Sequence, residues 1–154
     1  MSRRLLMRRW TPLRTEREAE RGSAAIEAAI GTSAFMLFIA MIITGGRIAM
    51  AYQAVEAAAA EAARSASIAR TQGEAEAAGS SGATASLANQ QLQCTSRSVS
   101  VDTSGFAAPV GTPSQITATV TCVVDLSDVA IPGMPGARTI TSTMSSPIDT
   151  YREH

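Results

Sequence analysis

An apolar run covers residues 24–46 (AAIEAAIGTSAFMLFIAMIITGG), and Glu27 is the single charged residue within its 23 positions. A helix needs about 20 mostly apolar residues to cross the hydrocarbon core of a bilayer. A helix buried in a soluble core is the alternative, but it needs a larger core than this 154-residue chain supplies, because alanine, with its small side chain, is the most frequent of the other apolar residues. The run therefore predicts one transmembrane helix, which we assign to residues 23–46, with the lipid bilayer as its surroundings.

Arginine is concentrated before the apolar run. Residues 1–21 hold seven of the 13 basic residues against three glutamates, a net charge of +4, whereas residues 22–154 hold six against ten acids, a net charge of −4. The positive-inside rule then places the N-terminus in the cytoplasm and the C-terminal part outside, as a single-pass cell membrane protein. A basic arm for nucleic acid is the other interpretation, but an apolar run seldom follows such an arm directly. We therefore expect no nucleic-acid partner.

The two cysteines, Cys94 and Cys122, both lie in the part predicted to be outside the cytoplasm, where thiols are oxidised. We expect a disulfide between them. Two buried free thiols remain the alternative, and a metal site needs more ligands than the sequence offers.

The helical pattern continues beyond the membrane run over residues 47–70, so that one helix is predicted from 23 to 70 with a bend at Gly45-Gly46. Its apolar stripe has an average spacing near 3.5 residues and consists of Ile48, Tyr52, Val55, Ala59, Ala62 and Ala66. The stripe could pack on the chain's own C-terminal domain or on other subunits, and the sequence favours neither.

Residues 71–93 are rich in Gly, Ser and Ala, which predicts a linker with a possible short helix and a turn at Gly79 to Gly82. Residues 94–154 then change to the alternating pattern of half-buried strands, separated by loops that contain Gly and Pro. The inward positions are Val99 and Val101, then Ile116, Ala118, Val120 and Cys122, then Ile140 and Met144. The predicted fold class is α+β, a long N-terminal helix followed by a small antiparallel, strand-rich domain.

Three kinds of processing are compatible with this N-terminus. The segment can remain an uncleaved anchor, or act as a secretory signal, since Ala49-Met50-Ala51 fits cleavage before Tyr52. The third is suggested by RGSAAIE, which resembles the prepilin cleavage site of type IV pilin-like proteins. In that resemblance, residues 1–22 are a leader that ends at Gly22, Ser23 becomes the new N-terminus, and Glu27 is the fifth mature residue. Glu27 can also be a plain interfacial charge.

The stretch from residue 21 to about 70 resembles the TadE-like family of pilin-related proteins from tight-adherence (Tad/Flp) systems. The features that carry the resemblance are the basic leader, the RGSAAIE start, Gly46-Arg47 and the Ala/Arg-rich helix with Ala62-Ala63-Arg64. Family members commonly have phenylalanine after the glutamate, where this chain has Ala28. Because a major pilin of this system is much shorter, the resemblance implies a minor pilin or pseudopilin in the assembly of an adhesive pilus.

The same resemblance implies several partners. They are a prepilin peptidase, an assembly ATPase, the Tad membrane platform and other pilin subunits, with Glu27 pairing with the N-terminal amine of a neighbouring subunit. We expect no enzyme, cofactor, metal or small-molecule substrate, because the one histidine is His154 and no catalytic set is apparent. The rival function is an uncleaved single-pass envelope protein with a small extracytoplasmic binding domain.

Overall fold

The computed structural model describes residues 14–127 and 136–150, with side chains from residue 24 onward. The chain divides into two compact units, Met1–Ile39 and Ala40–His154. The elements follow in the order α1 (Arg14–Ser67), α2 (Gln72–Asn89), β1 (Cys94–Asp102), a 3₁₀ turn (Ser104–Ala107), β2 (Gln115–Asp125) and β3 (Ala137–Pro147). The predicted α+β class is confirmed. Most of the leader predicted for residues 1–22 lies outside the described residues, as do positions 128–135 and 151–154 of the domain predicted for 94–154.

Helix α1 begins within the predicted leader, runs through Gly45-Gly46 as helix and ends at Ser67, three residues before the expected end. In its last turn the Ser67 hydroxyl donates to the Arg64 carbonyl at 2.9 Å. The buried face of α1 consists of Ala51, Ala54, Val55, Ala58, Ala59, Ala62, Ala63 and Ala66. The predicted stripe is thus right for four of its six positions.

The stripe was wrong at Tyr52, which is 43% exposed, while Ile48 is half-buried. The buried face passes through Ala51, one residue earlier. Four residues back from Val55 and three residues back from Ala54 both lead to Ala51, on the same side of the helix. An alanine lets the helix approach the sheet more closely than the tyrosine ring permits.

Residues 72–89 form one helix, so the linker and turn expected around Gly79 to Gly82 are wrong for this stretch. The helix begins at an N-cap: Thr71 accepts a hydrogen bond from the Glu74 backbone N–H at 3.3 Å, and the Glu74 carboxylate accepts from the backbone N–H of Arg70 at 3.3 Å. This is the pattern of a capped helix start, which was readable in the letters TQGE.

Two of the three glycines of α2, Gly79 and Gly82, allow close packing. A Cβ on Gly79 would lie 2.8 Å from Val101 Cγ2 and 3.2 Å from the Ala62 carbonyl oxygen, and one on Gly82 would lie 2.8 Å from Ser65 Oγ. Gly79 therefore lets α2 approach both α1 and β1. The low helix propensity of glycine is outweighed here by the contact that its missing side chain allows.

The three strands form an antiparallel sheet in the order β1-β2-β3. The buried side chains alternate along β2 as predicted, at Ile116, Ala118, Val120 and Cys122. Helix α1 covers this inner face. Near its end, Ala66 clusters with Ile116 and the Ser67 hydroxyl lies 3.0 Å from that of Ser146. At the other end, Ala51 belongs to the core cluster against which Val124 packs. Helix α1 therefore runs antiparallel to β2.

The outer face of the sheet carries hydroxyls. Side-chain oxygens of β2 and β3 are 2.9 Å apart for Thr119 and Thr143, 3.1 Å for Thr121 and Thr141, and 3.2 Å for Thr117 and Ser145. Such cross-strand pairs stabilise a sheet by about 0.2–1 kcal/mol each. The sheet thus has one apolar face against the helices and one polar face toward solvent.

Cys94 and Cys122 form a disulfide with a Cα–Cα distance of 5.4 Å, which confirms the predicted pairing; the alternative of free thiols is wrong. Cys94 is the first residue of β1 and pairs across the ladder with Val124, two residues from Cys122. The bond therefore links the start of β1 to the central strand, β2, beside the irregular step between Cys94 and Ser96.

Candidate membrane segment and assembly site

The apolar part of α1 presents its large side chains outward. Nine side chains between residues 26 and 43 are 52–66% exposed: Ile26, Ile30, Phe35, Met36, Leu37, Phe38, Met41, Ile42 and Ile43. In the structure, the helix from Ala24 is long and apolar enough to cross a membrane, and none of its most apolar stretch is buried. A core helix of a soluble protein would be mostly buried. This candidate helix near the N-terminus indicates single-pass membrane anchoring.

Glu27 lies in this exposed helix, with Ile26 on one side and a run of apolar residues beyond. Among the described residues its carboxylate has no hydrogen-bond or ion-pair partner. The hydroxyls of Ser33 and Thr44, by contrast, donate to carbonyls one turn earlier, at 2.9 Å to Ala29 and 2.7 Å to Ala40. An ionised group is costly inside a bilayer, and such groups generally serve a function there.

The predicted processing residues, Gly22 and Ser23, lie within α1 as helix, eight and nine residues after its start at Arg14. The backbone shows no break at this point. The secondary structure alone therefore marks no boundary between a leader and a mature chain.

Glycines of the apolar segment differ in their surroundings from Gly79 and Gly82 of α2. A Cβ added at Gly31, Gly45 or Gly46 would meet no atom within 4 Å. The fold of a single chain therefore does not require glycine at these positions. In membranes, small residues of this kind let helices approach each other closely.

Two aspartates end strands by accepting hydrogen bonds from the residue two positions later. Asp102 accepts from the Ser104 backbone N–H at 3.0 Å, and Asp125 from the Ser127 backbone N–H at 2.8 Å. These backbone bonds, with the serine hydroxyls as a second cause, lower the pKa of both carboxyl groups below its ordinary value. Both aspartates are exposed, and their bonds shape turns, a role that the sequence analysis missed although D-x-S spacing signals it.

An open groove of about 680 Å³ lies in the second unit, between α1, the residues after α2 and the end of β2. Its polar lining residues include Arg47, Gln53, Gln90 and Asp125. The Gln90 amide donates weakly to the Ala54 carbonyl at 3.4 Å. This lining holds no nucleophile with a base beside it, and no cluster of three metal-ligating side chains occurs in the parts of the chain that the structure describes.

A family model described as TadE-like protein matches residues 22–64. The match starts at Gly22, covers the exposed apolar segment and ends within the alanine face of α1. Neither the curated proteins nor the solved structures contain a match to this chain. Over residues 22–64 the chain is therefore similar to TadE-like proteins, which confirms the resemblance seen in its sequence.

Proposed function

We propose that this protein is a minor pilin or pseudopilin that takes part in assembling a Tad/Flp adhesive pilus after cleavage of its leader behind Gly22. The observation that supports this most strongly is the TadE-like match, since it covers Gly22, Glu27 and the apolar segment in one continuous stretch. The proposed orientation has the N-terminus in the cytoplasm and the disulfide-bonded module outside. A prepilin peptidase, the assembly ATPase, the Tad membrane platform and other pilin subunits are the proposed partners.

Glu27 is proposed to bind the amine that cleavage creates at Ser23 of a neighbouring subunit. The carboxylate has no partner among the described residues, and an ion pair would offset the cost of placing it in the bilayer. The open surroundings of Gly31, Gly45 and Gly46 give neighbouring helices room to approach. Together these features support a helix that makes its contacts with other subunits through the membrane segment.

One observation favours the uncleaved envelope anchor instead. Helix α1 runs through Gly22 and Ser23, and a peptidase has to open a helix locally before it can cut the backbone. In this second candidate function the segment is a permanent anchor and the module outside binds a partner. Gly22 and Glu27 are then replaceable by other residues.

The intact mass and N-terminal residue of the protein purified from its own membranes distinguish these functions. We expect a chain that begins at Ser23. A Gly22→Leu variant should keep its leader, whereas the matched Gly31→Leu variant, at a glycine in the same helix with open surroundings, should be processed. A wild-type start at Met1 or Ser2 would favour the anchor, and a start at Tyr52 would contradict both membrane functions.

Replacing Glu27 separates cleavage from assembly. Glu27→Gln keeps the shape of the side chain and removes the charge, so we expect normal processing and strongly reduced recovery in sheared pilus fractions or in complexes with other subunits. Glu56→Gln is the matched control, because Glu56 is an exposed carboxylate of the same helix beyond the apolar run. Normal assembly of the Glu27 variant would refute its proposed pairing role.

A further inference from the structure

Strand β3 has a free edge whose backbone groups can be assigned. The bonds from Ile148 N–H to the Ser114 carbonyl (2.9 Å) and from Leu126 N–H to the Gly136 carbonyl (2.8 Å) continue the β2–β3 register at both ends. Since bonded pairs alternate in an antiparallel ladder, the even-numbered residues of β3 bond to β2. The odd-numbered residues point their backbone groups away from β2, and those between the two ends of β3 are Thr139, Thr141, Thr143 and Ser145; no described residue bonds to these four.

Between Thr139 and Ser145 this edge lacks the charges, prolines and bulges that usually block further pairing. The β2–β3 ladder continues without a bulge from Ala137 to Pro147, and Arg138 is the one charged residue of β3. The opposite edge, β1, has a register irregularity between Cys94 and Ser96 and carries two charged residues, Arg97 and Asp102. Long, regular, uncharged edges are sites of strand addition.

We propose that β3 pairs with β3 of a second copy of this chain, antiparallel and centred on Ser142. This register places Thr141 opposite Thr143 of the second copy and Thr139 opposite its Ser145, so that all four outward-pointing residues exchange backbone bonds. On the inner face it places Ile140 opposite Met144. The hydroxyl and apolar faces of the two sheets then join without mismatch, into six strands, an ordinary sheet size.

Charge is compatible with this self-pairing. Each Arg138 lies opposite Ser146 of the other copy, and the two arginines are eight residues apart along the strands, or about 27 Å at 3.4 Å per residue. No like charges therefore face each other across the new ladder. Shifting the register by two residues would set Ile140 opposite Ser142 and Arg138 opposite Met144, which is a poorer fit.

Head-to-tail addition of β3 to β1 of another copy does not fit the helices. Such an array repeats every three strands, or about 14 Å at 4.8 Å per strand. Each repeat must carry α1 and α2 side by side on the same face, and two packed helices occupy about 16–20 Å. The helix layers would overlap, which leaves the antiparallel β3 pair as the way in which two copies join at this edge.

The proposed pairing fixes the relative direction of the two copies of α1. Its twofold axis is perpendicular to the sheet, and α1 lies along the sheet antiparallel to β2, so the two copies of α1 run in opposite directions. Residues 40–46 of the two copies then lie at opposite ends of the pair.

Disulfide trapping of the full-length chain in detergent tests the register. Ser142 meets its own equivalent at a Cα distance of about 4.5–5.5 Å, within disulfide range, whereas Thr141 lies diagonally from its equivalent at about 7–8 Å. We expect Ser142→Cys to give mostly covalent dimer on oxidation and Thr141→Cys to give several-fold less. No dimer from Ser142→Cys, or more dimer from Thr141→Cys, overturns the proposal.

Sedimentation of the full-length chain in detergent tests the free edge itself. Thr141→Pro removes an N–H that points away from β2, a position where an edge strand tolerates proline, and Thr141→Val is the matched control that keeps it. We expect dimers with wild type and Thr141→Val, and their loss with Thr141→Pro. A folded Thr141→Pro variant that dimerises as well as wild type would contradict the proposal. If the proline variant fails to fold by circular dichroism, the cysteine pair still decides.

Discussion

Gly79 is the position where the packing of α2 can be tested most directly. In Gly79→Ala the new methyl group would lie 2.8 Å from Val101 Cγ2 and 3.2 Å from the Ala62 carbonyl oxygen. Overpacking of this kind costs about 1–3 kcal/mol, while replacing glycine by alanine in a helix gains up to about 1 kcal/mol. The net effect is a loss of about 0–2 kcal/mol. Gly73→Ala is the matched control, since a Cβ there meets nothing within 4 Å.

The difference between the two variants isolates the contact, because both gain from the alanine. We expect Gly79→Ala to be about 1–3 kcal/mol less stable than Gly73→Ala in urea melts of the full-length chain in detergent, followed by circular dichroism. Adding Val101→Ala should remove much of that loss, which a double-mutant cycle measures as coupling. If Gly79→Ala is as stable as Gly73→Ala, α2 does not pack closely at this glycine.

Two further predictions concern the module's stability. Replacing both Cys94 and Cys122 by alanine should lower the free energy of unfolding by about 3.6 kcal/mol on the chain-entropy estimate for a separation of 28 residues; a loss below about 1 kcal/mol in the same urea melt would refute this. Asp102 and Asp125 have folded pKa values below the ordinary 3.8. Their contribution is therefore complete above that pH and is lost as pH falls through the folded values. Replacing both by Asn should flatten the acid limb of the stability–pH curve; an unchanged limb would contradict their role.

The sequence was sufficient for the parts of the fold in which one physical signal dominates. The apolar run predicted the exposed helix, and period-two alternation predicted the inward residues of β2, since a strand with one buried face needs that pattern. The disulfide followed from the predicted compartment of Cys94 and Cys122. The resemblance around Gly22 and Glu27 predicted the family that the comparison then matched.

For residues 71–93 only a possible short helix was predicted, and the full length of α2 was missed because two rules conflict in it. Gly and Ser clusters generally mark turns, but the packing of Gly79 against Val101 depends on a residue 22 positions later in the chain, which no local window includes. The capping pair Thr71 and Glu74 was the local signal that pointed the other way. Tyr52 shows the same limit, since a shift of one position along a helix face depends on the sheet against which it packs.

The alanine face of α1 makes the module unequally sensitive to changes in side-chain size. An alanine side chain is a single methyl group, so truncating the residues that face the sheet lowers stability far less than truncating leucines in a leucine core. Enlargement is different, because Ala58, Ala59, Ala62 and Ala66 have no exposed surface into which extra atoms could extend. Substitutions along this helix are therefore limited mainly by the largest side chain that fits. A valine or leucine can enter only together with a smaller side chain on β2 or α2.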